Sequence, residues 1–516
     1  MAPSTTRRWW ALGAISLAVL AVTLDVTVLT VALPTLATEL GASEAELQWF
    51  VTAYTLALVA GMLPAGLIAD RYGRRRLLLA ALVLFGLGSA FCAFAPDAQV
   101  FIAGRVALGL AGAAIIVVAL ATLTVLFDED ERPRAIGIWG AANFIGLPLG
   151  PILGGWILTN AWWGWIFLIN VPIAVTAFIA VAALVPESRA ERAPGIDVAG
   201  IVLSSGGLVA VMYGLVEAGE VGWTDPRTLA WLLGGLAVLV AFVGWERRLG
   251  SRPGGEPLVD LSLFRSPTFT WGIVCTAFGV FGLFGAMFAL PQYLQAVMAV
   301  DPQGSGLRLL PLVAGLVIGA VPADRIVARV GPKVTVTTGF AVVVVALVLG
   351  STTSLTSGDA FLAAWTFLLG AGAGVAFATA ASIALVEVSP DRSGVAAGLL
   401  QAVVKLGPAF GATILGSVLN ATYQAQLDVS SLPPQAASAA QESVFGAIAV
   451  AGQIGSTALV ASARDAFLAG MHDALLVAAG GAAIGALLAL AFLPVRSRAA
   501  GSRQPRGARP EGAPAG

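Results

Sequence analysis

The stretch LPAGLIADRYGRR, Leu63 to Arg75, returns in altered form as VPADRIVARVGPK, Val321 to Lys333. Pro64 pairs with Pro322, Arg71 with Arg329, Gly73 with Gly331 and Arg75 with Lys333, all at a shift of 258. A second series follows at a shift of 261, in which Gly137, Gly146, Gly150 and Gly155 match Gly398, Gly407, Gly411 and Gly416. One such match is cheap in a chain with 61 glycines. A colinear series about half the chain apart is not. It implies two parallel structural repeats, related by an axis along the membrane normal.

The rest of the chain suits that setting. Of 516 residues, 58% are hydrophobic and 11% charged, with mean hydropathy +0.90; a soluble domain has roughly 45–50% and about 25%. A span needs about 20 apolar residues. Fourteen segments are candidates, near 10–36, 48–69, 77–95, 100–126, 135–159, 166–185, 198–217, 229–245, 267–295, 305–323, 334–352, 360–388, 395–421 and 471–494. The expectation is an all-α membrane protein of fourteen spans. Six form a first bundle over 10–185 and six a second over 267–494, with a two-span insert and its linkers at 186–266. Residues 1–9 precede the first span. Residues 422–470 read as a long outer loop, and 495–516 as a basic tail whose composition predicts disorder. The first apolar run is too long for a cleavable signal peptide.

Basic residues stay on the cytoplasmic side of a membrane. With the N-terminus inside, all but five of the 28 Lys and Arg fall in inner segments. The exceptions are Arg227 and Arg464 in outer loops, Arg308 at an outer span end, and Arg105 and Lys405 inside spans. Both termini are therefore expected in the cytoplasm.

Several functions are excluded. Cys92 and Cys275 lie in apolar runs and make no disulfide framework. A single histidine, His472, rules out a multi-histidine metal site. No phosphate loop of the G-x-x-x-x-G-K type appears, so ATP is not the energy source. No nucleophile–histidine cluster suggests an enzyme. No cofactor, nucleic acid or obligatory protein partner is expected; the partners are the lipid bilayer and a small hydrophobic or amphiphilic substrate.

Four stretches carry chemistry. In LDVTVLTVALPTL, Leu24 to Leu36, Asp25 is the only acid placed deep in a span; Glu387 lies near the inner end of another. Insertion scales charge roughly 2.5–3.5 kcal/mol for a central aspartate, so such residues mark function by default. A carboxyl in that place can take up and release a proton, which suits proton coupling on a helix lining a central cavity. The alternative is a structural aspartate bonded to a neighbour. Thr27 and Thr30 share the stretch, and Pro34 frees the carbonyl of Thr30. In GRVALGLAGAA, Gly104 to Ala114, Arg105 lies inside a span, where an arginine faces a cavity or partner, or snorkels to the interface. Trp365 takes its place in the other half.

In GLIADRYGRRRL, Gly66 to Leu77, Asp70 ends a helix between Gly66 and Gly73. Small residues allow close helix approach, and a carboxylate can pair with arginine or a helix N-terminus to latch the inner face. In GLPLGPILGG, Gly146 to Gly155, Gly146, Gly150 and Gly154 share a helix face, and Pro151 allows a kink. Elsewhere, Phe281, Phe284 and Phe288 follow helical spacing and either line a cavity for planar amphiphiles or pack against core and lipid. Lys405 is either ion-paired or functional. The insert's only acid near a span is Glu217, at an outer end, so no coupling residue is expected there.

These stretches resemble known motifs. GLIADRYGRRRL resembles the signature inner loop of the major facilitator superfamily, with Gly66, Asp70, Arg71, Gly73 and Arg74 on the motif. The second copy is degenerate, since Asp324 and Ala328 stand where Gly66 and Asp70 do. Gly146, Gly150, Pro151, Gly154 and Gly155 fall on a stretch similar to that family's antiporter motif, and Arg105 on its fourth-span motif; Leu108 and Ala111 depart from the latter. LDVTVLTVALP, QWFVTAYTLALVAG and GWIFLINVPI resemble the fourteen-span drug:proton antiporter branch, apart from Thr30 and Gly164. The resemblance implies a proton-coupled exporter of hydrophobic drugs, antibiotics or natural products in a bacterial cytoplasmic membrane. Protons are the coupling ion, and Asp25 and Arg105 carry the coupling. The inner loop would gate the closed state. The alternatives are a facilitator of another substrate class, such as a lipid or metabolite, or a non-transporting receptor.

Overall fold

A computed structural model describes residues 5–495 except Glu129, Arg192, Glu387 and Ser431. The expectations for Arg192, for Glu387 and for the basic tail from Arg496 onward lie outside the described residues. All regular structure among the described residues is helical.

The first half holds α1 (Thr5–Glu39), α2 (Glu44–Tyr72), α3 (Arg74–Ala93), α4 (Ala98–Leu126), α5 (Arg132–Asn160) and α6 (Trp165–Leu184, with a turn at Ile169). The insert is α7 (Val198–Glu220) and α8 (Pro226–Gly250). The second half begins with α9 (Pro267–Val297), followed by α10 (Gly304–Ala320) and α11 (Ala323–Val330), which form a pair bent by 45°. Then come α12 (Pro332–Ser351), α13 (Asp359–Val386) and α14 (Ser393–Gln426). Two short helices, α15 (Pro434–Glu442) and α16 (Val444–Ile454), lead to α17 (Thr457–Phe492). Among the described residues, twelve helices are long and apolar enough to cross a membrane, or thirteen if the bent pair is one span. Pro322 sits at the bend, where its ring and missing N–H interrupt the helix ladder.

Helix starts follow from capping side chains. Ser43 and Glu46 form a reciprocal box before α2, and Asp97, Asp197, Asp225 and Ser266 each cap the helix that follows. The same chemistry corrects the expected loop at 422–470. Ser443 and Ser456 cap α16 and α17, Gly455 ends α16 in the left-handed region, and most of the stretch is helical.

The repeat is visible in the structure. Gly73 and Gly331 end their helices at φ +114° and +81°, a conformation open to glycine and strained for other residues. Two apolar clusters form the core: one centred on α1 to α6 that extends across the seam into α9, α13 and α14, and one largely within α9 to α17. The halves meet where α14 packs on α2 and α4, and α5 on α10 and α13. Helix α7 touches both α2 and α14, so the insert lies against the seam between the halves.

Candidate functional site

Asp25 and Arg105 come from helices 80 positions apart and meet inside the first half. Arg105 Nη1 lies 2.5 Å from Asp25 Oδ2, with both side chains at most 1% exposed. Asn170 Nδ2 donates to Asp25 Oδ1 at 3.0 Å and reaches Ser89 Oγ at 3.2 Å. Arg105 Nε donates to the carbonyl of Phe50 at 2.9 Å, and its guanidinium stacks 4.3 Å from the Tyr54 ring centroid. Four helices besides α1 thus hold the carboxylate or its partner. A buried charge needs such pairing. Helix α1 lines the central cavity through Thr23 and Thr27, while Asp25 itself is not among the lining residues and packs behind it. Arg105 is buried against a partner and does not snorkel. Asn170 was within reach of sequence reading, since it lies in GWIFLINVPI; its role as the second ligand of Asp25 was not.

The central cavity lies between the halves and encloses about 1030 Å³ of empty space, its mouth included. Thr23 and Thr27 from α1, Tyr54 from α2, Trp139 and Asn143 from α5, Phe284 from α9, Phe377 from α13, and Gln401 and Lys405 from α14 all line it. Met212 brings the insert into the wall. Tyr54 forms both the cavity wall and the face on which Arg105 stacks.

Of the residues expected to line the cavity, Thr27, Phe284 and Lys405 do. Thr30 does not; it is exposed and its hydroxyl donates to the carbonyl of Thr27 at 2.8 Å. Phe281 and Phe288 do not either. Phe281 packs against Gly481 within the second half, and Phe288 lies against Gly416 and is 37% exposed. Lys405 has no ion-pair or hydrogen-bond partner among the described residues, so the ion-paired alternative is not realised there.

The glycines of α5 face α1. A side chain at Gly146 would strike Thr23, and one at Gly150 would strike Thr27; Gly154 faces Val28. The close approach lets Thr27 Oγ1 donate to the carbonyl of Gly146 at 2.9 Å, and Thr23 Oγ1 to Asn143 Oδ1 at 2.5 Å. Gly155 faces open space and serves no such contact. Pro151 lies within the continuous helix.

At the arginine-rich face, Asp70 joins the halves. Its carboxylate accepts from the backbone N–H of Gly394 at 2.9 Å and of Val395 at 3.1 Å, the first turn of α14. It also pairs with Arg74 Nη2 at 2.6 Å, both side chains 1% exposed. A helix N-terminus is an anion site, so the carboxylate holds the N-terminus of α14 and the arginine at once. Gly66 touches Gly394 backbone, leaving no room for a side chain. The linker after α6 straps this contact: Ala190 N–H donates to the carbonyl of Asp70 and Arg71 to that of Pro194, while Ser188 accepts from the Arg74 N–H. The degenerate copy makes no such contact; Ala328 is exposed on α11.

The insert holds an acid that the span boundaries concealed. Expected to end near residue 245, α8 runs to Gly250 and carries Glu246 with it. Glu246 is 1% exposed, accepts from the Val259 N–H at 3.1 Å, and lies beside the carboxylate of Asp197. Glu217 is therefore not the only acid near an insert span.

Two helical halves around a largely apolar cavity with a few polar groups, a buried ion pair behind its wall and a carboxylate contact joining the halves on one face are the architecture of a membrane transporter. The major facilitator superfamily model matches residues 15–412, and the chain belongs to that family of transporters. It is 32% identical over 496 residues to the tetracenomycin C resistance and export protein of Streptomyces glaucescens, covering 94% of this chain and 91% of the relative. It is also 32% identical to the multidrug efflux pump LfrA of Mycolicibacterium smegmatis, over 92% of this chain and 95% of that one. Among solved structures, the proton:xylose symporter XylE superposes with a TM-score of 0.62 at 15% identity, over 95% of this chain and 97% of that chain, a likeness of fold.

Proposed function

We propose that the protein is a proton-driven exporter of small hydrophobic or amphiphilic molecules that works by alternating access. The relatives' names, resistance, export and efflux, support the direction of transport and the substrate class. The buried Asp25–Arg105 pair behind Tyr54 carries the reading of proton coupling. A proton on Asp25 removes one charge of that pair. Losing one member of a buried pair costs roughly 3–5 kcal/mol. Inverting a two-state population from 1:99 to 99:1 takes about 5.5 kcal/mol. The proton is thus of the right size to bias the exchange. Arg105, released from Asp25, moves against Tyr54, and Tyr54 is the cavity wall, so protonation and substrate binding compete through one ring.

The arrangement described is closed at the arginine-rich face, with Asp70 bonding the first turn of α14. By the positive-inside rule this face is read as cytoplasmic, with both termini in the cytoplasm and the spans in a bacterial cytoplasmic membrane. The proposed count is fourteen spans. Helix α5, 29 residues long, supplies the one beyond the thirteen counted above. The test is efflux of a fluorescent amphiphile from cells and its uptake into everted vesicles. Uptake driven by an imposed pH gradient and abolished by a protonophore is the expected result. Gradient-independent movement would mean a facilitator without proton coupling.

A further inference from the structure

The cavity carries a cation and no anion. Its lining contains no Asp or Glu. Lys405 is its one cationic side chain. The buried arginines near the seam are already engaged: Arg105 on Asp25, Arg74 on Asp70, and Arg132 on the carbonyls of Thr124 and Leu385. Beside Lys405, three further lining residues carry buried donors with no hydrogen-bond partner among the described residues, Gln401 Nε2, Trp139 Nε1 and the Tyr54 hydroxyl, in residues 2%, 1% and 1% exposed. Buried donors are nearly always paired, and each exception calls for a reason. An ammonium withdrawn from water without a counter-charge is costly too. Phe284, Phe377 and Trp139 supply flat apolar walls around the same space.

We infer that the cavity recognises aromatic substrates through an acidic group, a carboxylate or an ionised phenol, and that Lys405 is the specificity-determining residue. The acid supplies the missing counter-charge to Lys405 and accepts from Gln401 and Trp139, while the ring system lies against the phenylalanines. Cations are disfavoured by the same count, because Lys405 repels them and no lining acid replaces their hydration. This inference rests on the exporter reading for its setting, but binding can be measured apart from transport.

The experiment compares 9-anthracenecarboxylate with its neutral carboxamide, titrated at neutral pH onto purified protein in lipid nanodiscs, with protein-free nanodiscs as reference. In wild type the acid binds at least about tenfold more tightly than the amide, about 1.4 kcal/mol. In Lys405→Gln that ratio falls to about one, and in Lys405→Arg it is largely kept. Equal binding of acid and amide by wild type overturns the inference, as does binding of neither, or an undiminished ratio in Lys405→Gln. An acid preference in a protein that shows no gradient-driven efflux leaves this inference standing and removes the exporter. Proton-driven efflux without an acid preference does the reverse.

Discussion

The two halves share a frame and differ in chemistry. Gly137 on α5 meets Ala320 across the seam, and its repeat partner Gly398 on α14 meets Met62 on the other side. Gly146 and Gly150 pack α5 onto α1, as Gly407 and Gly411 pack α14 onto α9. Yet where the first half buries Arg105, the second buries Trp365 at 1% exposure, stacked on Gly350. Where the first half has the Asp70 latch, the second has an exposed Ala328. The second half contributes what the first lacks, the helix N-terminus that Asp70 holds and the lysine of the cavity. Packing glycines are kept twice because both bundles must close. The buried ion pairs among the described residues, Asp25–Arg105 and Asp70–Arg74, both lie in the first half.

The largest break in that asymmetry is expected at Arg105. Arg105→Gln leaves Asp25 buried and uncompensated, a destabilisation of roughly 3–5 kcal/mol, and thermal unfolding in detergent should show it. Removing both charges, in Asp25→Asn with Arg105→Gln, restores most of that stability but not gradient-driven efflux. Asp25→Asn alone folds and loses pH-gradient-driven transport; full coupled efflux at matched expression would end the role assigned to Asp25. Trp365→Phe, at the matching place, leaves coupling intact.

Next in size is the latch. Asp70→Ala removes two charge-assisted bonds to α14, each worth roughly 1.5–3 kcal/mol, so the closed state at the arginine-rich face should lose at least about tenfold in population. Gly66→Val acts on the same contact by steric clash. Spin-label distances between α2 and α14 would read both. The mirrored change, Ala328→Asp, sits on an exposed helix face and should stay within about 0.5 kcal/mol. Substrate binding that collapses in Asp70→Ala with unchanged distances would show that Asp70 is no latch.

Much of this was legible in the sequence, for identifiable reasons. The repeat, the apolar segments, the lone deep carboxylate and the Gly66–Arg74 loop are local patterns that need no knowledge of helix rotation. The pairing of Asp25 with Arg105 and Asn170 is set by how α1, α4 and α6 turn toward one another. Periodicity could not reveal this in helices that are apolar all round. The same blindness left the phenylalanines open between cavity and packing; Phe284 lines the cavity, while Phe281 and Phe288 pack elsewhere. Tyr54, although inside QWFVTAYTLALVAG, and Gln401 and Trp139 did not stand out, because an isolated polar or aromatic residue in a span is ordinary until its neighbours are known. Glu246 was hidden by a boundary placed one turn short, an error typical of helix ends.

Glu246 sharpens the comparison by testing whether coupling belongs to the first half alone. Glu246→Gln keeps the acceptor for the Val259 N–H and lies far along the chain from the Asp25 cluster. Because the amide keeps the shape and that acceptor, efflux is expected to change less than about twofold, about 0.4 kcal/mol, with the pH midpoint unmoved. A displaced midpoint would give the insert a share in coupling.

The smallest effect is expected at Asp260, which pairs with Arg392 across the arginine-rich face and ties the linker after the insert to the segment before α14. Both side chains are substantially exposed, at 32% and 52%. Exposed pairs contribute about 0–1 kcal/mol and are screened by salt, so Asp260→Asn should weaken closure slightly at low salt and not at all at high salt. Its pH behaviour has a definite sign. Partial burial pushes the carboxyl up, but hydrogen bonds from Ser262 and the Arg392 guanidinium outweigh that and hold it below the ordinary carboxylate range. A depressed carboxyl contributes stability that is fully present above its unfolded value and is lost as pH falls through the folded one. The pair is therefore intact across the neutral range, and titration of Asp260 cannot shape efflux there. Asp260→Asn should leave the pH profile of efflux between 6 and 8 superimposable on wild type (approximate limits, well above the ~3.9 of a free aspartate). A displaced profile would move part of the pH response from the buried pair of the first half to the linker joining the two.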